Sequence, residues 1–200
     1  MTDRDAETSV PIHPLLAARW SPRALDPGGV VADDQLRAVL EAARWAPSNG
    51  NTQPTRFLVG RRGDDTYARL FDLLSRRNQR WAHAAAVLVL LCVVTVNEKG
   101  AIPMPEYGAG LAAENLALQA VSEGLVAHQM GGFNREGAKL VFSLPGDVEP
   151  QTVIALGTLG DPALLDEERR AKELAPRRRL GLDEIAFTGE WGNPVFRHGV

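Results

Sequence analysis

The sequence predicts an α+β fold in which helices flank a sheet of buried strands. Two largely apolar runs, residues 87–96 and 152–159, are separated by helical patterns. A strand that is covered on both faces has a nearly continuous apolar sequence, so both runs predict buried strands. The 200 residues, 44% of them apolar and 24% charged, suit one domain with its own core.

Helical periodicity and turn residues divide the first half of the chain. The predicted elements are a short helix at residues 12–19, an amphipathic helix at 33–45, a polar turn at 48–54, a strand at 56–61 and a helix at 66–76. In the amphipathic helix, Asp33 is the predicted N-cap and Pro47 prevents continuation. The apolar positions of this helix recur every three or four residues, which indicates one buried face.

The second half alternates strands with helices and ends in a polar segment. Its predicted elements are the strand at residues 87–96, a helix at 107–123, a helix at 134–142 and the strand at 152–159. The helix at 107–123 is apolar on nearly every face, which favours the centre of a monomer or of a dimer. His128 is expected to close this helix in a structural role.

The ends of the chain differ from the middle. Residues 1–10 are predicted to be frayed, and residues 11–200 form the single predicted domain. From residue 161 the sequence is charged and carries Pro176 before three arginines. Residues 161–200 are therefore predicted to form an extended arm that lies over a partner subunit.

Composition excludes several classes of function. A net charge of −3 and a pI of about 5.8 give no bulk attraction to nucleic acid or to anionic membranes. The polar N-terminus does not resemble a signal peptide, and the longest apolar run, residues 84–96, is too short to span a bilayer. These features predict a soluble, cytoplasmic protein. Its single cysteine, Cys92, cannot form an internal disulfide and is predicted to be a core residue.

Common catalytic signatures are missing from the sequence. It has no dinucleotide-binding glycine fingerprint, phosphate-binding loop, zinc-protease motif or hydrolase nucleophile elbow. The four histidines, at positions 13, 83, 128 and 198, lack the spacing of metal ligands, so no metal site is predicted. Hydrolase and metalloenzyme functions are therefore poorly supported.

Arginine-rich and amide-rich turns remain as candidate sites. The segment 19–23 places two guanidinium groups and one hydroxyl in a single turn, which suits a phosphate or a solvated helix end. The arginines at 177–179 allow the same two interpretations. Residues 48–53 suit the edge of a heterocycle or an ordinary turn. Gly131 and Gly132 allow close approach of a flat ligand, or end a helix.

The order of these segments resembles the nitroreductase family of flavoproteins over residues 15–194, nearly the whole chain. The matching segments are Arg19-Trp20-Ser21-Pro22-Arg23, Ala43-Arg44-Trp45-Ala46-Pro47-Ser48, Asn51-Thr52-Gln53-Pro54, the helix at 108–125, His128-Gln129-Met130-Gly131-Gly132-Phe133-Asn134 and Pro176-Arg177-Arg178-Arg179-Leu180. The resemblance implies a central mixed, mainly antiparallel sheet flanked by helices. It also implies an intertwined homodimer with a C-terminal arm.

The resemblance further implies a set of residues that hold FMN. The phosphate would be held by Arg19, Ser21, Arg177 and Arg179, with Trp20 contributing mainly its backbone. Arg23 would reach the N1/O2 edge of the flavin ring. From the other subunit, the ring and ribityl chain would be contacted by Pro47, Ser48, Asn49, Asn51 and Gln53. Asn78 and Arg80 would add a ring-edge contact, and Met130, Gly131 and Gly132 would lie near the ring, with glycine N–H groups facing N5.

The implied activity is transfer of hydride from NADH or NADPH to flavin N5, followed by reduction of an electron-poor small molecule in a ping-pong mechanism. Nitroaromatics, quinones and enones are candidate acceptors, and no catalytic side chain beyond the flavin is required. Three alternatives remain: a dehalogenating or flavin-fragmenting branch, a flavin storage or sensor protein, and a structural dimer without cofactor. The short connection at residues 97–106 argues against the specialised branches, which carry an inserted lid there.

Two positions depart from the pattern of the family. Gly131-Gly132 stands where some members have Glu-Gly, which removes a side-chain role. Thr55 stands where a large aromatic residue is common, which is expected to reshape the pocket.

Overall fold

The computed structural model describes residues 4–196, which form a four-stranded sheet with helices on both faces. The α-helices are α1 (Pro14–Ala18), α2 (Asp33–Arg44), α3 (Asp65–Leu73), α4 (Arg76–Ala82), α5 (Pro105–Ser122), α6 (Arg135–Val141), α7 (Glu167–Leu174) and α8 (Leu182–Ile185). The strands are β1 (Thr55–Arg61), β2 (Val87–Val94), β3 (Val96–Asn97), β4 (Gly100–Ala101), β5 (Val126–Met130) and β6 (Val148–Gly157). Short 3₁₀ helices occupy Asn49–Asn51 and Pro162–Leu164.

The main sheet has the strand order β1-β2-β6-β5, and each neighbouring pair is antiparallel. β2 and β6 lie at the centre, and β1 and β5 form the two edges. The strands β3 and β4 make a separate small hairpin. The predicted α+β architecture with a mainly antiparallel sheet is therefore confirmed.

Alternation along β2 divides the core into two layers. Val87, Val89 and Leu91 face α2 and α5, whereas Leu88 and Leu90 face the side of α3, α4 and α6. Successive side chains of a strand point to opposite faces, so an uninterrupted apolar run supplies both layers. Cys92 is buried in the second layer, as predicted, and burial raises the pKa of its thiol to about 11.

The alanine- and leucine-rich helix α5 packs against α2 and the sheet. Its buried face consists largely of alanine, which permits a close approach between helix and sheet. The side chains of Leu111 and Leu118 on the remaining surface are half-buried within one chain.

Several local predictions were wrong. His128 lies within the edge strand β5, not at the end of a helix, because Gly124 adopts a positive φ of 73° and ends α5 earlier. The helix predicted at residues 66–76 ends at Leu73, and α4 begins after Ser75, its N-cap. Asp33 is the first residue of α2, and the N-cap is Ala32.

Part of the predicted arm folds back onto its own chain. α7 buries Arg169 and Glu173, and the segment after it contacts the N-terminal residues through Arg177. Residues 1–3 of the predicted frayed end and residues 197–200 of the predicted arm, including His198, lie outside the described residues. Across residues 4–196, every helix is too short or too polar to cross a membrane.

Candidate functional site

Residues 19–23 form a loop, the arginine loop, along the β5 edge of the sheet. It begins where Arg19 ends α1, and His128 on β5 holds it by donating from Nδ1 to the Pro22 carbonyl at 3.0 Å. Pro22 is buried, Ser21 is exposed and Arg23 is half-buried. The loop therefore rests on the sheet through its backbone and presents polar side chains outward.

Two side chains from the C-terminal segment hold the same loop. The Arg177 guanidinium donates to the carbonyls of Ala17 at 2.7 Å and Arg19 at 2.8 Å. One carboxylate oxygen of Glu173 accepts the N–H groups of Arg23 at 2.8 Å and Ala24 at 2.9 Å. These contacts fix the loop backbone and leave the Ser21 hydroxyl and the Arg23 guanidinium available for other partners.

Arginines concentrate beside this loop. Arg19, Arg177 and Arg179 line one cavity of about 630 Å³, which also has apolar walls. Burial and the charges of Arg19, Arg179 and Arg4 hold the pKa of Arg177 below its usual range. Glu7 and Asp183 also line this cavity, and Arg19 pairs with Glu114 at 3.2 Å, so carboxylates offset part of the positive charge. The predicted phosphate-binding arginines are thus brought together around one cavity, where their guanidinium groups can donate to an anion.

Trp20 and Ser21, the other two residues implied near the phosphate, lie on the same loop. The guanidinium of Arg4 stacks over the Trp20 ring, with 4.4 Å between the guanidinium carbon and the ring centroid. The Trp20 ring is therefore occupied by Arg4, which leaves its backbone for other contacts.

The two glycines after β5 form an open backbone surface. Nothing lies within 4 Å of the place that a Cβ of Gly131 would occupy. No acceptor among residues 4–196 receives the N–H of Gly131 or of Gly132, and both residues are exposed. Two neighbouring N–H groups thus remain free to donate to a ligand. Met130 beside them is 2% exposed, with its side chain in the core.

α4 borders this glycine surface. The Asn78 amide donates from Nδ2 to the Gly132 carbonyl at 3.0 Å. A Cβ at Gly132 would come within 3.1 Å of the same Asn78 nitrogen. Arg80 is exposed and shares a small cavity of about 100 Å³ with Arg23. The structure thus brings Asn78 and Arg80 to the group formed by the arginine loop and the glycines.

The predicted residues 47–53 lie elsewhere, before β1 at the opposite edge of the sheet. Asn51 and Gln53 adopt positive φ angles of 56° and 49°, and the Ser48 hydroxyl accepts the Gln53 N–H at 2.9 Å. The side chains of Asn49, Asn51 and Gln53 are exposed, as is Pro47. Left-handed backbone at non-glycine residues costs free energy and is often found at functional sites.

One chain keeps these two groups of residues apart. β1 and β5 are separated by β2 and β6, a distance of roughly 14 Å across the sheet at the usual strand spacing. Within residues 4–196, no hydrogen bond or ion pair joins residues 47–53 to the arginine loop or to the glycines. A ligand that contacted both groups in one chain would have to span this distance.

His128 and Glu173 are two buried side chains that hold the loop 19–23. The sequence predicted a structural role for His128 without its partner and did not single out Glu173. His128 is 9% exposed, and its ring lies 4.5 Å from that of Trp81. Burial, aided by the charge of Arg23, lowers the pKa of His128 to about 4, so the imidazole is neutral near pH 7. Glu173 lies in the charged run 167–173, where nothing in the sequence distinguishes it from exposed neighbours.

The described residues contain no group of three or more histidine, cysteine, aspartate or glutamate side chains arranged to bind a metal ion. Besides a few carboxylates, among them Glu114, the polar groups of the site are guanidinium groups, amides, hydroxyls and backbone N–H groups. Such donors favour an anionic or heterocyclic ligand.

Comparisons with known proteins match this architecture. The sequence model of the Nitroreductase family matches residues 16–76 and 64–160. A 15.4 kDa protein of Mycolicibacterium smegmatis, named as uncharacterized, is 43% identical over 148 residues, which cover 70% of this chain and 99% of that protein.

Two solved structures extend the likeness to three dimensions. An oxidoreductase containing FMN has a TM-score of 0.89 and 31% identity, with 96% of this chain and 100% of that chain covered. A protein of Desulfovibrio desulfuricans, described as a nitroreductase in complex with FMN, has a TM-score of 0.64 and 28% identity, with 86% and 100% covered. The family match extends over more than half of the sequence, and on this ground the chain belongs to the nitroreductase family.

Proposed function

We propose that this protein is an FMN-dependent oxidoreductase that uses NADH or NADPH to reduce an electron-poor small molecule. The observation that carries the proposal is the open backbone at Gly131 and Gly132, with two free N–H groups, beside the loop 19–23. The FMN-containing oxidoreductase that is 31% identical and the Desulfovibrio desulfuricans complex with FMN support it.

The donors present at the site fit FMN. A phosphate group requires several cationic or neutral donors. Arg19 and Arg179 supply them from the cavity wall, and Ser21 adds an exposed hydroxyl on the adjoining loop. Arg177 uses three of its five N–H donors on the carbonyls of Arg4, Ala17 and Arg19, so two remain for the phosphate. A planar ring requires close backbone approach, which the space above Gly131 allows.

Bound FMN would supply the redox chemistry, accepting hydride from NADH or NADPH at N5 and passing electrons to the acceptor in a ping-pong cycle. The protein's part is to bind and orient. Arg23 would place a positive charge at the N1/O2 edge, where negative charge develops on reduction. The N–H groups of Gly131 and Gly132 would donate toward N5, and Asn78 and Arg80 would border the ring. Hydride transfer needs no general acid or base, which agrees with a site rich in arginine and amides.

The complete site is proposed to need a homodimer. Residues 47–53 lie at the β1 edge of their own chain, so a partner subunit would supply them to the site at the β5 edge. Exposed apolar side chains in the C-terminal segment favour an interface, among them Trp191, which is 92% exposed. No nucleic acid or membrane partner is proposed, and the cytoplasmic location stays a prediction.

The test is the visible absorbance of the purified protein during anaerobic addition of NADH and then of NADPH. The flavin absorbance is expected to bleach within seconds with at least one nicotinamide and to return when a quinone or nitroaromatic is added. A protein that takes up no FMN would contradict the cofactor assignment. Bound FMN that both nicotinamides reduce only slowly would instead favour storage or sensing.

A further inference from the structure

Glu173 is a buried carboxylate on α7, a helix whose other residues are mostly charged and exposed. It is 2% exposed, and the residues that α7 buries are Arg169 and Glu173. The buried side chains of α7 are therefore charged, whereas the buried face of a helix is usually apolar. Among residues 4–196, no lysine or arginine forms an ion pair with Glu173. Burial of an isolated carboxylate is costly, so its hydrogen bonds must compensate for the lost water.

The compensation comes from the backbone of the arginine loop. Oε1 of Glu173 accepts two successive N–H groups, from Arg23 at 2.8 Å and from Ala24 at 2.9 Å. Hydrogen bonds to an ionised acceptor are about twice as strong as neutral ones. His128 holds the preceding carbonyl, that of Pro22, from β5. The backbone of Pro22, Arg23 and Ala24 is therefore held by two side chains, those of His128 and Glu173.

The same helix also reaches the other border of the site. The Arg169 guanidinium donates to the carbonyl of Arg77 on α4 at 3.3 Å, and it pairs with Asp166. α4 carries Asn78 and Arg80, which lie beside the glycines and Arg23. α7 thus connects two segments of the site through its two buried charges.

We propose that Glu173 is a positioning residue for the cofactor site: it holds the backbone at Arg23 and Ala24 so that Ser21 and Arg23 face the FMN. The proposal rests on the proposed function for its ligand. The contact with the loop belongs to the chain itself, so it can be measured with and without FMN. In this role Glu173 touches neither cofactor nor substrate and acts through the loop.

The experiment compares Glu173→Leu, Glu173→Gln and Glu173→Asp in the full-length protein. Leu removes the acceptor, and Gln keeps an acceptor oxygen without the charge. Asp has one methylene group fewer, which moves the carboxylate away from the N–H groups of the loop. Amide hydrogen exchange of the peptide covering residues 19–25 is measured on the apoprotein. FMN affinity is measured by fluorescence titration, and the ring environment by visible circular dichroism.

Glu173→Leu removes the acceptor, so two charge-assisted hydrogen bonds disappear. Amide hydrogen exchange in residues 19–25 should become faster, and FMN binding should weaken by about tenfold or more. Asp is expected to weaken binding less than Leu. Gln should restore affinity to within about threefold and leave the visible dichroism unchanged, because the amide oxygen still accepts. Rescue by Gln distinguishes positioning from a need for the charge.

Glu167→Leu and Glu167→Gln are the matched controls, since Glu167 is an exposed carboxylate on the same helix. Both should bind FMN as the wild type does. If Glu173→Leu does not fold, the Asp variant decides the question through the same readouts. Wild-type FMN affinity and unchanged exchange in Glu173→Leu, or in Glu173→Asp where the Leu variant does not fold, would overturn the proposal. Failure of the wild type to bind FMN would instead contradict the proposed function, and exchange in residues 19–25 would still test the contact.

Discussion

His128 illustrates at the residue scale how a titratable group can be held neutral to support a loop. Its Nδ1 must carry a hydrogen to donate to the Pro22 carbonyl, and its ring packs against Trp81. A charged imidazole in this place would lose hydration and face the charge of Arg23, which explains its lowered pKa. The histidine therefore supports the arginine loop as a neutral donor.

This protonation behaviour predicts a pH dependence of stability. His128 has a pKa of about 4 in the folded protein against 6.5 in the reference state, so below pH 6.5 the unfolded chain binds a proton that the folded chain does not. The free energy of unfolding should then fall as the pH drops from 6.5 toward 4, by on the order of 3 kcal/mol in total. Urea unfolding across this range, compared with His128→Asn, would measure the effect.

The Asn variant keeps a side-chain donor but does not titrate. The carboxylates contribute alike to both proteins, so the difference between the two pH profiles isolates the imidazole. Parallel profiles from pH 6.5 to pH 4.5 would show that His128 is protonated as readily when folded as when unfolded.

Residues whose chemistry is visible locally could be identified from the sequence, whereas contacts between distant segments could not. Arg19 and Gly131 belong to short motifs with an evident use. His128 and Glu173 acquire their roles from partners 106 and 150 residues away along the chain. Neither partner could be known before the loop 19–23 was placed on the sheet.

At the scale of elements, the contact between β1 and α3 depends on Gly60. A Cβ there would lie 2.3 Å from the backbone nitrogen of Tyr67. The Tyr67 hydroxyl in turn donates to the Ala85 carbonyl at 3.0 Å, just before β2. The start of α3 is therefore held against the sheet with no room for an added methyl group.

Gly60→Ala is predicted to destabilise the fold by roughly 1–3 kcal/mol, because the helix backbone must move away from the strand. The measurement is the free energy of unfolding in urea. Gly146→Ala is the matched control, since nothing lies within 4 Å of a Cβ at that position. Equal stability of the two variants would argue that α3 is free to shift without cost.

The elements that the sequence predicted well are the long apolar ones. β2 and the second half of β6 were recognised because a strand covered on both faces has a nearly continuous apolar sequence. The first residues of β6, from Val148, were missed because Glu149, Pro150 and Gln151 interrupt the apolar pattern. The edge strand β5 was missed because it has five residues, includes His128 and Gln129, and directly follows an apolar helix. α4 was missed because it is short and rich in arginine, and its start depends on a side-chain cap from Ser75.

At the scale of the whole molecule, the separation of the two groups of residues leads to a complementation experiment. The proposed site combines Arg23 of one subunit with Gln53 of the other. Arg23→Ala and Gln53→Ala homodimers should each reduce FMN poorly with NADH or NADPH. When the two variants are unfolded together and refolded, heterodimers carry one intact site, so about one quarter of the wild-type sites should return.

The separately refolded variants, mixed afterwards, provide the control. If each site lies within a single chain, co-refolding restores no sites, because every chain still carries one substitution. That result would contradict the shared site without affecting the assignment to the family.

The contact between α7 and the arginine loop has a consequence for the C-terminal segment. Under the proposed role of Glu173, a ligand that orders Arg23 and Ala24 also strengthens the attachment of α7. Thermodynamic coupling of this kind is reciprocal, so detaching α7 must weaken ligand binding by the factor by which the ligand strengthens the attachment of α7. The affinity for the cofactor would therefore depend on whether the C-terminal segment is docked.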